Sequence, residues 1–153
     1  MSFLQVVGQL MQEIGPLIDR VMAIEWDEDS RWAIALSEET VLIVDYETEP
    51  ERLVIWSEVT SIRDEGKVET LEGLLRFNAL WQETGGTRMA LNDQNGVLLI
   101  YDLPLHDLHV SALAAAVENL ADSCEMWRNL LLAEENGMSG QGSDGASAHA
   151  IPV

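Results

Sequence analysis

TLEGLLRFNALWQETGGTRMALNDQNGVLLIYDLPL, residues Thr70–Leu105, runs a helix, a break and a hairpin together in one stretch. Leu71, Leu74, Leu75, Asn78 and Trp81 recur at three- and four-residue intervals, which stacks side chains along one helical stripe and predicts a helix over Leu71–Trp81. Gly85-Gly86 ends it, because glycine enters the left-handed conformation of a helix exit without steric cost. Arg88–Leu91 and Val97–Leu103 read as strands. Between them, Asn92-Asp93-Gln94-Asn95-Gly96 has the composition of a tight turn.

Downstream, Leu113, Val117, Leu120, Cys124, Trp127 and Leu131 alternate by four and three, the signature of a long helix with one apolar face. Glu118, Asp122, Glu125 and Arg128 are expected to face away, and Asp107 is a candidate N-cap. From Asn136 the composition turns to glycine, serine and alanine. That divides the chain into a domain over 1–135 and a disordered tail over 136–153.

Upstream, Phe3, Val7, Leu10 and Ile14 form the stripe of a first helix, with Gln5, Gln9, Gln12 and Glu13 off it. Gly15-Pro16 is expected to end or kink that helix, and Leu17–Met22 fits either a second short helix or a continuation. Trp26-Asp27-Glu28-Asp29-Ser30 leads into Arg31–Leu36, where Trp32, Ile34 and Leu36 alternate with smaller or polar residues. Val41–Tyr46 and Leu53–Trp56 follow after short links, giving a three-stranded antiparallel meander. Ser57–Gly66 reads as a polar connection.

The charge narrows the function. With 27 acidic residues against 8 basic in a chain of 153, the formal net charge is −19. Such a surface repels phosphate backbones and anionic bilayers, so neither nucleic acid nor a membrane is an expected partner. The single cysteine, Cys124, fits a buried inert thiol in a reducing compartment. The first residues lack the basic region of a signal peptide, and no run is long enough to cross a bilayer. A cytoplasmic location is expected.

Catalytic chemistry has no foothold. His106, Asp107 and His109 match no zinc spacing, and a strand-to-helix loop with an Asp cap accounts for them. Asp27-Glu28-Asp29 and Asp93–Asn95 lack the glycine and the bidentate glutamate of a calcium loop. There is neither a nucleophile elbow nor a glycine-rich phosphate loop, so no enzyme, metal or cofactor is expected. Trp127 and Trp81 read as packing residues. Trp32, Trp56 and Trp26 lie on or beside the meander, whose strands are apolar on both faces. Either that sheet has a two-sided core, or one face stays open as a partner site.

In that order and spacing, the chain from Phe3 to Leu132 resembles the class I type III secretion chaperones, the Tir chaperone family. The resemblance rests on the leucine-rich helix, the GG break, the short strand ending in L-N-D, the N-G turn, the strand ending in L-P-L and the helix bearing E-M-W-R-N-L-L. It implies an α+β fold in the order α-β-β-β-α-β-β-α: an antiparallel twisted sheet, helices mainly on one face, in a homodimer. It further implies a bacterial cytoplasmic chaperone that binds the N-terminal chaperone-binding segment of a secreted effector in extended form, with secretion-apparatus components as further partners. Carried over by position, the effector contacts are Phe3, Val7, Leu10, Trp32, Ile34, Val41, Ile43, Leu53 and Ile55. The dimer interface is Leu74, Phe77, Asn78, Trp81, Met89 and Leu91. The alternative is a dimeric structural or regulatory interaction module unrelated to secretion.

Overall fold

The computed structural model describes residues 2–28 and 30–141. Helix α1 spans Phe3–Leu17 and opens with a capping box: the Gln5 N–H donates to Ser2 Oγ (3.3 Å) and the Ser2 N–H to Gln5 Oε1 (2.9 Å). The expected stop at Gly15-Pro16 is displaced, for Pro16 lies inside the last turn. Gly15 has no Cβ for the proline ring to strike, and only Leu17 follows before the chain leaves the helix. Residues 18–22 are irregular, which settles the open reading of Leu17–Met22.

Strand β1, Ala23–Glu28, stands where the sequence reading placed only a lead-in loop. It pairs with β2 (Arg31–Ala35), matching Trp26 with Trp32 and Ile24 with Ile34. The first half is thus a four-stranded meander rather than a three-stranded one, continued by β3 (Val41–Thr48) and β4 (Glu51–Ser61). β4 runs well past Trp56, because Ser57 and Val59 keep the buried alternation and the Ser57 hydroxyl donates to the Val41 carbonyl at 2.8 Å. Helix α2 spans Lys67–Ala79, so Trp81 falls in the turn after it rather than in the helix. Gly85 and Gly86 take φ of 69° and 93° in the turns that follow, but they do not end the helix as expected: it stops at Ala79, with Leu80 as its C-cap. β5 (Arg88–Leu91) and β6 (Gly96–Pro104) complete the sheet, their turn held by Asn92 Oδ1, which accepts the N–H groups of Gln94 (2.9 Å) and Gly96 (2.8 Å).

Among the described residues the sheet has six antiparallel strands in the order β1-β2-β3-β4-β6-β5, so β1 and β5 are its edges. The register aligns Trp32, Val44 and Ile55 on one face, with Ile34, Leu42 and Leu99. These are buried in one core with Val7, Met11 and Ile14 of α1 and with α3 (Val110–Gln141). The α+β class and the packing of helices on this face follow the sequence reading.

Three local expectations change. Asp107 lies in a 3-10 turn, Leu105–Asp107, and the cap of α3 is His109, whose Nδ1 accepts the Ala112 N–H at 3.1 Å. Arg128 does not face away. It is 8% exposed, because carbonyl and hydroxyl oxygens of β4 and the β2–β3 turn await its guanidinium. Helix α3 also continues beyond Asn136 to Gln141. The rest of the expected tail lies outside the described residues.

Candidate functional site: a groove between the first helix and the sheet edge

One side of α1 does not seal against the sheet. Leu4, Gly8, Met11 and Gly15 repeat at four-three-four spacing and form one wall of a groove of about 1160 Å³. Met22, Ile24 and Trp26 form the other wall, and Trp32 closes the floor. Gly8 holds the space open, since a Cβ there would meet nothing within 4 Å. Trp32 is 6% exposed, whereas Trp26 and Met22 are 64% and 65% exposed. Apolar groups this large left in water favour covering by another molecule. The polar lining is uncharged: Gln5, Gln9 and Gln12 carry amides along the lip. Exposed Glu25 and Asp27 alternate with Ile24 and Trp26 on β1, so they project from the other face of that strand.

The groove also borders an open strand edge. The Met22 N–H bonds to the Ala35 carbonyl, so on this side of β2 the backbone of Ala33 and Ala35 serves β1. Strand alternation then turns the N–H and C=O of Ile24 and Trp26 outward. Among the described residues, no backbone hydrogen bond from another element reaches them.

The effector contacts named from the sequence divide among three places. Trp32 is the groove floor, Leu10 is half-buried, and Phe3 is 48% exposed. Val7, Ile34, Leu53 and Ile55 lie at 0% exposure beneath the helices and present no surface. Val41 and Ile43 lie on the opposite sheet face beside Trp56. That face is laced by ion pairs: Arg31 with Asp45, Arg52 with Glu47 (2.8 Å) and Asp102 (2.7 Å), and Arg88 with Asp102 (3.2 Å). Trp56 Nε1 donates to Asp45 at 2.9 Å, and the Arg31 guanidinium lies 6.0 Å from its ring centroid.

Of the interface candidates, Leu74, Phe77 and Met89 are 5–6% exposed and belong to the subunit's own core. Phe77 meets Trp127 edge-on at 5.2 Å. Asn78 is engaged by the Met89 backbone. Trp81 and Leu91 are exposed, as are Val68 and Leu75 of the outer side of α2, which the sequence reading did not nominate as contacts.

Among the described residues no group of three histidine, cysteine or acidic side chains could hold an ion. Burial pushes the Cys124 thiol up to about 11, which suppresses the reactive thiolate. No helix among the described residues is long and apolar enough to cross a membrane.

Comparison with known proteins gives a consistent picture. The family model of the Tir chaperone protein (CesT) family matches residues 9–128. No curated protein matches the chain by sequence. Among solved structures, the ExsC-ExsE complex superposes with a TM-score of 0.72 at 22% identity, covering 86% of this chain and 97% of the other. The HopA1-SchA chaperone-effector complex gives 0.63 at 15% identity, covering 80% and 93%. The Yersinia pestis type III secretion chaperone SycH, in complex with a stable fragment of YscM2, gives 0.58 at 22%, covering 76% and 94%. At these identities the likeness is one of fold.

Proposed function

The chain belongs to the Tir chaperone protein (CesT) family, and from that premise we propose that it is a bacterial cytoplasmic chaperone for a type III secreted effector. It binds the effector's N-terminal chaperone-binding segment in extended form and keeps it soluble until secretion. It works as a homodimer, and it is a carrier rather than an enzyme. The observation that carries this reading is the α1–β1 groove, apolar within and bordered by the edge strand β1, whose Ile24 and Trp26 take no backbone hydrogen bond from another element among the described residues. A guest strand laid there gains backbone hydrogen bonds from β1, while Leu4, Met11, Ile24, Trp26 and Trp32 receive its side chains. Recognition through backbone bonds and broad apolar contact suits a guest that must later be released unfolded. The charge of −19 keeps the subunit, and a loaded complex, dispersed.

Subunit contact falls to the exposed side of α2 and its neighbours, Val68, Leu75, Trp81 and Leu91, with Leu74, Phe77 and Met89 backing them from within.

Co-expression with the product of an adjacent effector gene tests the proposal. It should yield a stable complex of two chaperones per effector, and Gly8→Trp, which fills the groove at a point of open space, should abolish it without lowering the melting temperature. A Gly8→Trp protein that still copurifies the effector at full yield would overturn the assignment of the groove.

A further inference from the structure

The two edges of the sheet are not equivalent, and the geometry points to Asn78 as the reason: its side chain closes β5 to strand pairing, so that backbone pairing with another chain is confined to β1. The β1 half of this inference rests on the groove reading above; the β5 half does not.

β5 is short and outermost. The Asn92 N–H bonds to the Gly96 carbonyl at 2.9 Å, which fixes the alternation of the hairpin. Ala90 and Arg88 therefore turn their backbone groups toward β6, and Met89 and Leu91 turn theirs outward. Two such outward residues are the start of a template for an added strand. Asn78 occupies the first. Its Oδ1 accepts the Met89 N–H at 2.7 Å and its Nδ2 donates to the Met89 carbonyl at 3.0 Å. A planar primary amide offers donor and acceptor side by side, as the N–H and C=O of a single residue on a neighbouring strand do. Leu74 and Phe77, buried on the same helix, hold α2 in place for this contact. Leu91 alone is left on that edge before the chain turns. On β1, Ile24 and Trp26 remain outward, and among the described residues no side chain takes Asn78's role there. If the homodimer forms over α2 and β5, its subunits therefore meet through side chains such as Leu75 and Trp81, and their two sheets do not join.

Amide hydrogen exchange by NMR on the full chain tests this, with Asn78→Leu and Asn78→Asp as variants. In the wild type, Met89 should exchange slowly and Ile24 and Trp26 fast. Asn78→Leu should speed Met89 exchange by about tenfold or more, and should bring concentration-dependent association in sedimentation. Asn78→Asp keeps the acceptor, so Met89 should stay protected; this variant decides the matter if the leucine variant does not fold. Unchanged Met89 protection in Asn78→Leu, freed Met89 without association, or fast Met89 exchange in Asn78→Asp would overturn the role of Asn78. Slow exchange at Ile24 and Trp26 in the free protein would instead overturn pairing at β1, and the groove reading with it.

Discussion

Arg128→Met should cost the fold about 2–5 kcal/mol, as two buried neutral acceptors lose their donor. The guanidinium clamps α3 to the sheet through three acceptors: the Val59 carbonyl (3.0 Å), Thr40 Oγ1 (3.0 Å) and the Glu39 carbonyl (2.8 Å). Methionine fills the channel but donates nothing. Glu39 is exposed, so its carbonyl can return to water, whereas Thr40 and Val59 are 0% and 3% exposed and their oxygens are stranded. Each stranded group costs about 1–3 kcal/mol. Relief from burying a charge offsets part of the sum. The Glu39 carboxylate, 4.0 Å away and 77% exposed, adds little. For a chain of this size about 2–4 °C is lost per kcal/mol, so the melting temperature should fall by roughly 4–20 °C. Urea unfolding and thermal melts followed by circular dichroism measure both quantities. Arg128→Lys, which keeps the charge without the fork, should lie between. A loss below about 1 kcal/mol for Arg128→Met would refute the clamp.

Leu75→Asp, at a site 68% exposed, should dissociate the homodimer in sedimentation while leaving each subunit folded; a persistent dimer would remove α2 from the interface. Met89→Asp should instead unfold the subunit, because Met89 is 5% exposed within its own core, and a stable folded monomer would contradict that placement. The Cys124 thiol should also shape the alkaline limb of stability. An unfolded thiol ionises near 9.0, while burial holds the folded one protonated up to about 11, so unfolding gains ground as pH climbs through that window and the contribution is constant below it. Between those limits the wild type should lose stability more steeply than Cys124→Ala, and parallel urea midpoints would contradict this.

The helices and the hairpin were legible because each rests on a local rule. Apolar spacing gave the buried stripe of α3, and Asn92–Gly96 gave the turn. β1 was missed although Ile24 and Trp26 alternate with Glu25 and Asp27; the acidic run pulled the reading toward a loop, and pairing with β2 supplied what local propensity did not. Arg128 was misread because a charged residue at the margin of an apolar stripe looks solvated until distant oxygens converge on it. The groove was half legible. Of the stripe from Phe3 to Ile14, Val7 and Ile14 mark the buried side of α1, but the stripe beside it, Leu4, Gly8, Met11 and Gly15, lines the groove. Its two glycines conceal it from a search for bulky side chains. Burial within the sheet, which assigned Ile34, Leu53 and Ile55 to the core rather than to a partner, depends on which face the helices cover, and that is a tertiary fact.

The most direct measurement is a crystal structure of the protein bound to its effector's N-terminal segment. The guest should lie along α1 and β1, against Gly8 and Trp26, with its backbone paired to Ile24 and Trp26. A guest seated on the opposite face of the sheet, over Ile43 and Trp56, with the groove unfilled, would contradict the groove as the place where the effector is held.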